Sequence, residues 1–296
     1  MRPPLHQTAR LLRTLRRFFD ERDFLEVLPR TLATQCVVDP YIDPLTTMVR
    51  GGGQTTQHYL QPSPEAEMKS MLAGGSGSIY SIGPAYRDDE IGDLHRVEFT
   101  MLEWYEIDVD VEGGIKTLSA LSDQLTDQVV EVVSYEDVFV RSVGINPLED
   151  PTERLIAELD DPAFAQTIID DRDGLLDAVF SSRIQPDLVR PTIVRDYPVS
   201  QAALAKPNAH DDRTAARFEW FVGGVELGNG YDELLDAEEL IRRTRIANRR
   251  RQRSGRTVLP APTKLIEAMR RGLPPCAGVA VGVDRLAMVL SGAKKI

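Results

Sequence analysis

The sequence predicts an α+β fold in which an antiparallel sheet is flanked by helices. Three observations carry this. "SIYSIGPAYR" and "VEFTMLEWYEI" are strand-like and flank one polar loop, "DDEIGDLHR". "RFEWFVGGVELGNGYDEL" reads as a second hairpin around a glycine pair. Helical stretches stand between such groups instead of following each strand, which excludes an alternating doubly wound sheet. No internal repeat, low-complexity tract or linker interrupts the chain, so residues 1–296 read as one domain.

Taken in order, residues 5–22 place Leu5, Ala9, Leu12, Leu15, Phe18 and Phe19 at spacings of three and four, with Arg10, Arg13, Arg16 and Arg17 largely off that stripe. This is an amphipathic helix. "FLEV" predicts a short strand that Pro29 ends. The segment around "GGGQTTQ" is rich in turn residues. Ser63-Pro64 starts a helix with a cap residue and a first-turn proline. After the first hairpin, residues 115–133 read as helix and 134–190 as a mixture of short helices that includes "RDGLLDAVFSS". "PTIVRDYP" is a strand, and the second hairpin follows. Residues 236–253 are helical, and "LPAPTKLIEAMRRGLP" is a helix ending at Gly272. Last comes "GVAVGVDRLAMVL", small apolar residues and two glycines, then an Asp-Arg pair entering an apolar, helix-like tail. Its spacing matches neither the Walker A pattern nor the dinucleotide fingerprint.

Bulk properties exclude several classes. No apolar run reaches a membrane span. The arginine-rich N-terminus lacks the continuous apolar core of a signal peptide. Cys36 and Cys276 have no CxxC spacing, so neither a disulfide framework nor a zinc site is expected, and a reducing cytoplasm is the simplest home. The net charge of −11 argues against a large RNA footprint. One run opposes that balance: "IRRTRIANRRRQRSGR" (241–256) carries eight arginines. It suits a solvated helix face first and a docking patch for an acidic partner second.

Two constellations could carry chemistry. On a strand alternate residues share a face. Phe99, Met101, Glu103 and Tyr105 therefore point one way, a pocket floor with a ring to stack a base and a carboxylate to hold an ammonium. Arg87 lies near Phe99 if the loop 88–96 closes a hairpin. The same pattern also suits a half-buried strand whose Glu103 pairs with an arginine. In the second hairpin a Gly223-Gly224 turn sets Phe221 opposite Glu226. Glu219 and Glu226 are then diagonal neighbours, roughly 7 Å apart at Cβ or a little less. Oxygen-only ligands suit Mg²⁺, and Asn229, Gly230 and Glu233 add polar and backbone-permissive positions. Alternation does not position Asn229 or Glu233, because Gly228 and Gly230 are bulge sites. Glu65 lies in the first turn of its helix, as dipole complement or as anchor for a substrate amine. Of the histidines only His95, beside Arg96, stands where a cation could meet a terminal phosphate.

These pieces occur in the order of the class II aminoacyl-tRNA synthetase motifs. "FLEVLPRTL" resembles motif 1, "YRDDEIGDLHRVEFTMLEWY" motif 2 and "GVAVGVDRL" motif 3. Within that class "SPE", "EFTMLEWY" and "RFEWFVGGVELGNGYDEL" resemble the lysyl branch. The resemblance implies ATP and Mg²⁺ as cofactors. It implies that Arg87 contacts the α-phosphate, Phe99 stacks on adenine, Arg285 covers the nucleotide, and His95 lies in the loop that reaches the terminal phosphate. Glu219 and Glu226 would bind Mg²⁺. Glu65 would hold the substrate's amino end, with Glu103, Tyr105, Asn229, Tyr231 and Glu233 lining a lysine pocket and Ser63 also binding substrate. "GVAVGVDRLAMVL" becomes a strand and helix presenting Arg285, with Gly278 and Gly282 allowing close approach to substrate. Motif 1 implies a homodimer through residues 5–32.

The motif 1 helix starts at about residue 5, which leaves no room for the anticodon-binding OB-fold that lysyl-tRNA synthetases carry ahead of the catalytic domain. That layout resembles the synthetase-like ligases that attach (R)-β-lysine to a lysine of elongation factor P. "YPVSQAALA" (197–205) and Ala280, where synthetases have glycine, are similar to that branch. The resemblance thus implies (R)-β-lysine or lysine as substrate, elongation factor P as acceptor, and neither tRNA nor membrane as partner. A synthetase core charging tRNA, a ligase for a small amine and a non-catalytic paralogue are the alternatives. Two positions depart from the pattern: Asp89 stands where glutamate is usual and Arg96 where asparagine is usual. The families also continue with a further short strand after motif 3.

Overall fold

A computed structural model describes residues 4–296, so the first three residues of the arginine-rich N-terminal stretch lie outside the described residues. The chain divides into two compact units, Met1–Asp110 with Glu233–Ile296, and Val111–Asp232.

The first unit opens with α1 (Leu5–Asp20), which buries Leu11, Leu15, Phe18 and Phe19. The expected stripe is rotated at its start. Leu5 and Ala9 are exposed, and Leu11 takes the inward position. Phe18 and Phe19 anchor the helix, Phe19 stacking on Tyr80 at 4.8 Å and meeting Trp104 at 5.1 Å. β1 (Leu25–Glu26) pairs parallel with β5 (Ile79–Tyr86), which pairs antiparallel with β6 (Glu98–Ile107), the predicted hairpin. On the other edge of β6 lies β11 (Cys276–Gly282), also antiparallel. Between β1 and β5 come β2 (Leu32–Ala33), β3 (Thr46–Gly51) and β4 (Gln54–Leu60), a three-stranded sheet of order β2-β4-β3. The predicted turn is the tip of the β3–β4 hairpin, where Gly52 and Gly53 both take positive φ. α2 (Glu65–Ala73) follows.

The second unit has its own strands. α3 (Val111–Thr126) is shorter than expected, because residues 131–134 form β7 (Glu131–Ser134). Four short helices follow, α4 (Tyr135–Val143), α5 (Thr152–Ala157), α6 (Pro162–Thr167) and α7 (Arg172–Val179), and α4, α5 and α7 pack a core around Phe139, Leu155, Leu175 and Phe180. Ser134 caps α4 by accepting from the Asp137 amide, worth about 1 kcal/mol. β8 (Thr192–Pro198) pairs parallel with β7 and antiparallel with β9 (Thr214–Val222), which pairs antiparallel with β10 (Val225–Asp232).

The first unit closes with α8 (Ala237–Arg253), α9 (Thr263–Gly272) and α10 (Val283–Ser291). The arginine run is only in part a solvated face. Arg251 is fully buried and donates to the carbonyls of Asp39 at 2.9 Å, Ile42 at 2.7 Å and Thr257 at 2.7 Å. Arg251 and Arg256 both pair with Asp43. Arg242 and Arg243 share Glu239. Arg251 and Arg256 therefore tie loops to the helix end, while Arg242 and Arg243 pair within α8.

Candidate active site

Glu103 and Tyr105 share a face of β6, as alternation predicts, and β6 pairs with a strand on either side. Glu103 pairs with Ser81 on one side and Ala280 on the other, and Tyr105 with Ile79 and Gly278. Glu103 and Tyr105 are buried, each 2% exposed. Glu103 accepts 2.7 Å hydrogen bonds from Ser63 Oγ and from the Tyr105 hydroxyl. Ser63 Oγ also accepts from the Glu65 amide at 3.1 Å, so this serine ties the start of α2 to the strand. Pro64 sits at the cap position, one residue earlier than a first-turn proline.

Glu65 and Glu233 reach the same place and meet a residue the sequence reading passed over. Lys69 Nζ lies 2.5 Å from Glu65 Oε1 and 2.5 Å from Glu233 Oε2, with its side chain 2% exposed. Burial works against that ammonium, but Glu233 and Glu65 outweigh it and hold it protonated. Burial, with Glu65 nearby, pushes the Glu103 carboxyl up to about 7. Burial pushes Glu233 up as well, with Lys69 opposing. Three acids and one ammonium thus form one largely buried cluster. The glycine of closest approach is Gly278. A Cβ there would lie 2.2 Å from Glu233 Oε1 and 2.5 Å from the Tyr105 ring. It makes room for the Glu233 and Tyr105 side chains. At Gly282 a Cβ would meet the Arg285 side chain, at 3.8 Å, an ordinary contact. A lysine four residues after the "SPE" glutamate was the available signal for Lys69, and it also suits an ordinary surface pair.

At the other end of β6 the charges reverse. The Arg87 guanidinium lies 5.2 Å from the Phe99 ring centre, the neighbourhood that hairpin closure predicts. Arg87 donates weakly to the Pro62 carbonyl and pairs with Glu90 at 3.6 Å. The acid beside it is thus Glu90; Asp89 is exposed, with positive φ, and makes no ion pair among the described residues. Arg285, on the first turn of α10, donates to the Leu94 carbonyl at 3.1 Å and contacts His95 Nε2 at 2.5 Å. Asp284 accepts from the Thr100 amide at 2.6 Å and so fixes the start of α10 against β6. Burial and the neighbouring Arg285 push His95 down, away from its charged form. Arg96 donates to the Ile296 carbonyl. A cavity of about 420 Å³ lies there, lined by His95, Arg96, Asp93, Val97 and Lys295 among others.

In the second unit Gly223 and Gly224 form the predicted turn and Glu226 pairs with Phe221. A bulge between Glu226 and Gly228 shifts the register, so Asn229 lies directly opposite Glu219. Glu219 is 9% exposed. It accepts from the Tyr197 hydroxyl at 2.7 Å and pairs with Arg217, whose guanidinium lies 4.6 Å from the Tyr197 ring centre. Asn229 donates to the Tyr231 hydroxyl at 3.1 Å, while its Oδ1 is buried without a partner. Burial pushes nearby Asp177 up to about 7. An orphaned amide oxygen opposite a carboxylate fits an oxygen-ligated cation, and each Glu219 oxygen keeps acceptor capacity beyond its one donor. Arg217 and Tyr197, which hold Glu219, were not read from the sequence.

The chain matches the class II tRNA synthetases (D, K and N) over residues 1–296 and belongs to that family. Among curated relatives it is 38% identical to the elongation factor P–(R)-β-lysine ligase of Mannheimia succiniciproducens over 297 residues, 99% of this chain and 92% of that protein. It is 39% identical to the ligase of the same name from Yersinia enterocolitica and 40% identical to that of Photorhabdus laumondii, with the same coverage.

Proposed function

We propose that this chain is an ATP-dependent ligase that activates (R)-β-lysine, or lysine, as an acyl-adenylate and transfers it to a lysine side chain of elongation factor P. The observation that carries the reading is the buried pocket of Glu65, Glu103 and Glu233, whose acids outnumber its one ammonium, in a chain similar over 99% of its length to ligases of that name. A buried excess of carboxylates demands cations. A substrate with two amino groups supplies them.

In the first step a substrate carboxylate oxygen bonds to the α-phosphorus of ATP and pyrophosphate leaves. In the second, a neutral acceptor amine bonds to the acyl carbon and AMP leaves. Arg87 and Arg285 bind and orient phosphate oxygens, and Phe99 stacks on the base. Glu219, Glu226 and Asn229 would hold Mg²⁺, which supplies charge neutralisation at the phosphates when bound. Glu103, fixed by two hydroxyl donors, orients the ammonium, and Ala280 across from it borders the amino-acid backbone. Residues 1–296 act as one catalytic domain. The homodimer reading is supported by exposed leucines on the motif 1 segment, among them Leu5, Leu25 and Leu28. The cytoplasmic reading rests on two free cysteines. Among the described residues no helix is long and apolar enough to cross a membrane.

Pyrophosphate exchange tests the activation step. Exchange that depends on (R)-β-lysine, with weaker response to α-lysine, is the expected result. Exchange with neither amino acid would contradict the reading.

A further inference from the structure

Lys69 is the charged group of the pocket that the ligation chemistry leaves unused. It sits on α2, is almost fully buried, and divides its donors between Glu65 on its own helix and Glu233, 164 residues away. A lysine serving only as an (i, i+4) helix pair would have no reason to reach Glu233 or to lose its water. We propose that Lys69 is a positioning residue that sets the residual charge of the amino-acid pocket at two negative charges, matched to a substrate with two ammonium groups. This rests on the reading of the site as a lysine or β-lysine pocket.

The charges that face Lys69 are few. Glu65 lies on α2, Glu103 and Tyr105 on β6, and Glu233 just before α8. The helix packed on α2, α9, keeps Lys264, Glu267, Arg270 and Arg271 exposed. Lys69 takes Oε1 of Glu65 and Oε2 of Glu233, which leaves the second oxygen of each and the charge of Glu103, which accepts from the neutral hydroxyls of Ser63 and Tyr105. Three carboxylates against one built-in ammonium leave two charges. Lysine and β-lysine each bring two ammonium groups. A mono-amine leaves one carboxylate uncompensated, and a proton must take the vacant place.

The test measures exchange kinetics for Lys69→Met and Lys69→Arg from pH 6 to 9, with the amino acid and ATP varied separately. Lys69→Met is expected to raise the amino-acid KM at least about tenfold near pH 7 with the ATP KM unchanged. It should also move the acid limb of the amino-acid KM upward by about one pH unit. Lys69→Arg, which keeps the charge, should hold the limb at its wild-type position. An unmoved limb in Lys69→Met, or equal movement in both variants, overturns the proposal. Wild-type enzyme gives a check that no variant can spoil by misfolding. Calorimetry in buffers of different ionisation heat should find lysine expelling more protons near pH 7 than 6-aminohexanoate, which has one ammonium; equal proton release overturns the proposal. If neither lysine isomer binds wild-type enzyme, the reading of the site itself falls. If an isomer binds and only the variants fail to respond, the role of Lys69 alone falls.

Discussion

The two ends of β6 carry opposite chemistry on one strand. At Glu103 and Tyr105 the site is buried and acidic, with carboxylates in excess of cations. Four residues back, at Phe99, it is part-exposed and basic, with Arg87 beside the ring. Strand rise sets these ends about 13 Å apart along the chain. The arginines at the basic end lean on backbone carbonyls, Arg87 on Pro62 and Arg285 on Leu94. A carbonyl orients a guanidinium without neutralising it, and Arg87 also meets the Glu90 carboxylate at 3.6 Å. At the acidic end the reverse holds: hydroxyls orient Glu103 without neutralising it. A substrate with ammonium groups at one end and a phosphate-activated carboxylate at the other has matching polarity.

Removing the basic end should cost most. Arg87→Ala is expected to reduce pyrophosphate exchange about 10²- to 10³-fold while leaving calorimetric lysine binding intact. Full exchange in that variant would remove the adenylation site from this strand. At the acidic end, Glu103→Gln should raise the amino-acid KM roughly 10- to 100-fold, the loss of one charge-assisted hydrogen bond, with little change in ATP KM. The pH dependence follows from the raised carboxyl, about 7. An ammonium needs the ionised form, so amino-acid affinity should be full above pH 7 and decline as pH falls below it. Glu103→Gln should flatten that limb in a plot of KM against pH.

Gly278→Ala sharpens the comparison, because its Cβ would collide with Glu233 and Tyr105 and touch nothing at the basic end. Overpacking of about 1–3 kcal/mol should appear as a lower melting temperature and a higher amino-acid KM, with ATP KM preserved. The smallest effect is expected at Ala280, in register with Glu103. Ala280→Gly removes one methyl group and should shift selectivity several-fold toward α-lysine, read as the ratio of kcat/KM for the two isomers.

Much of this was legible in the sequence, and the misses have physical causes. The hairpins, the Gly223-Gly224 turn and the Glu226–Phe221 pair follow from local rules of alternation and turn chemistry. The bulge sites were visible as glycines, but its register was not, so Asn229 could not be set opposite Glu219. The β3–β4 hairpin was missed because both strands are mostly exposed and polar, leaving no apolar alternation to read. Lys69 and Arg251 were missed for a common reason. Charged side chains default to the surface, and only partners distant in sequence, Glu233 for one and Asp39, Ile42 and Asp43 for the other, make their burial tolerable. The contact between His95 and Arg285 could not be read either, because Arg285 arrives from 190 residues away.

The most direct test of the central claim follows the activated amino acid to its acceptor. The enzyme, ATP and labelled (R)-β-lysine are incubated with elongation factor P and, in parallel, with lysine tRNA. The account predicts label on one lysine of the protein and none on the RNA. Efficient charging of the tRNA with no label on the protein would contradict it.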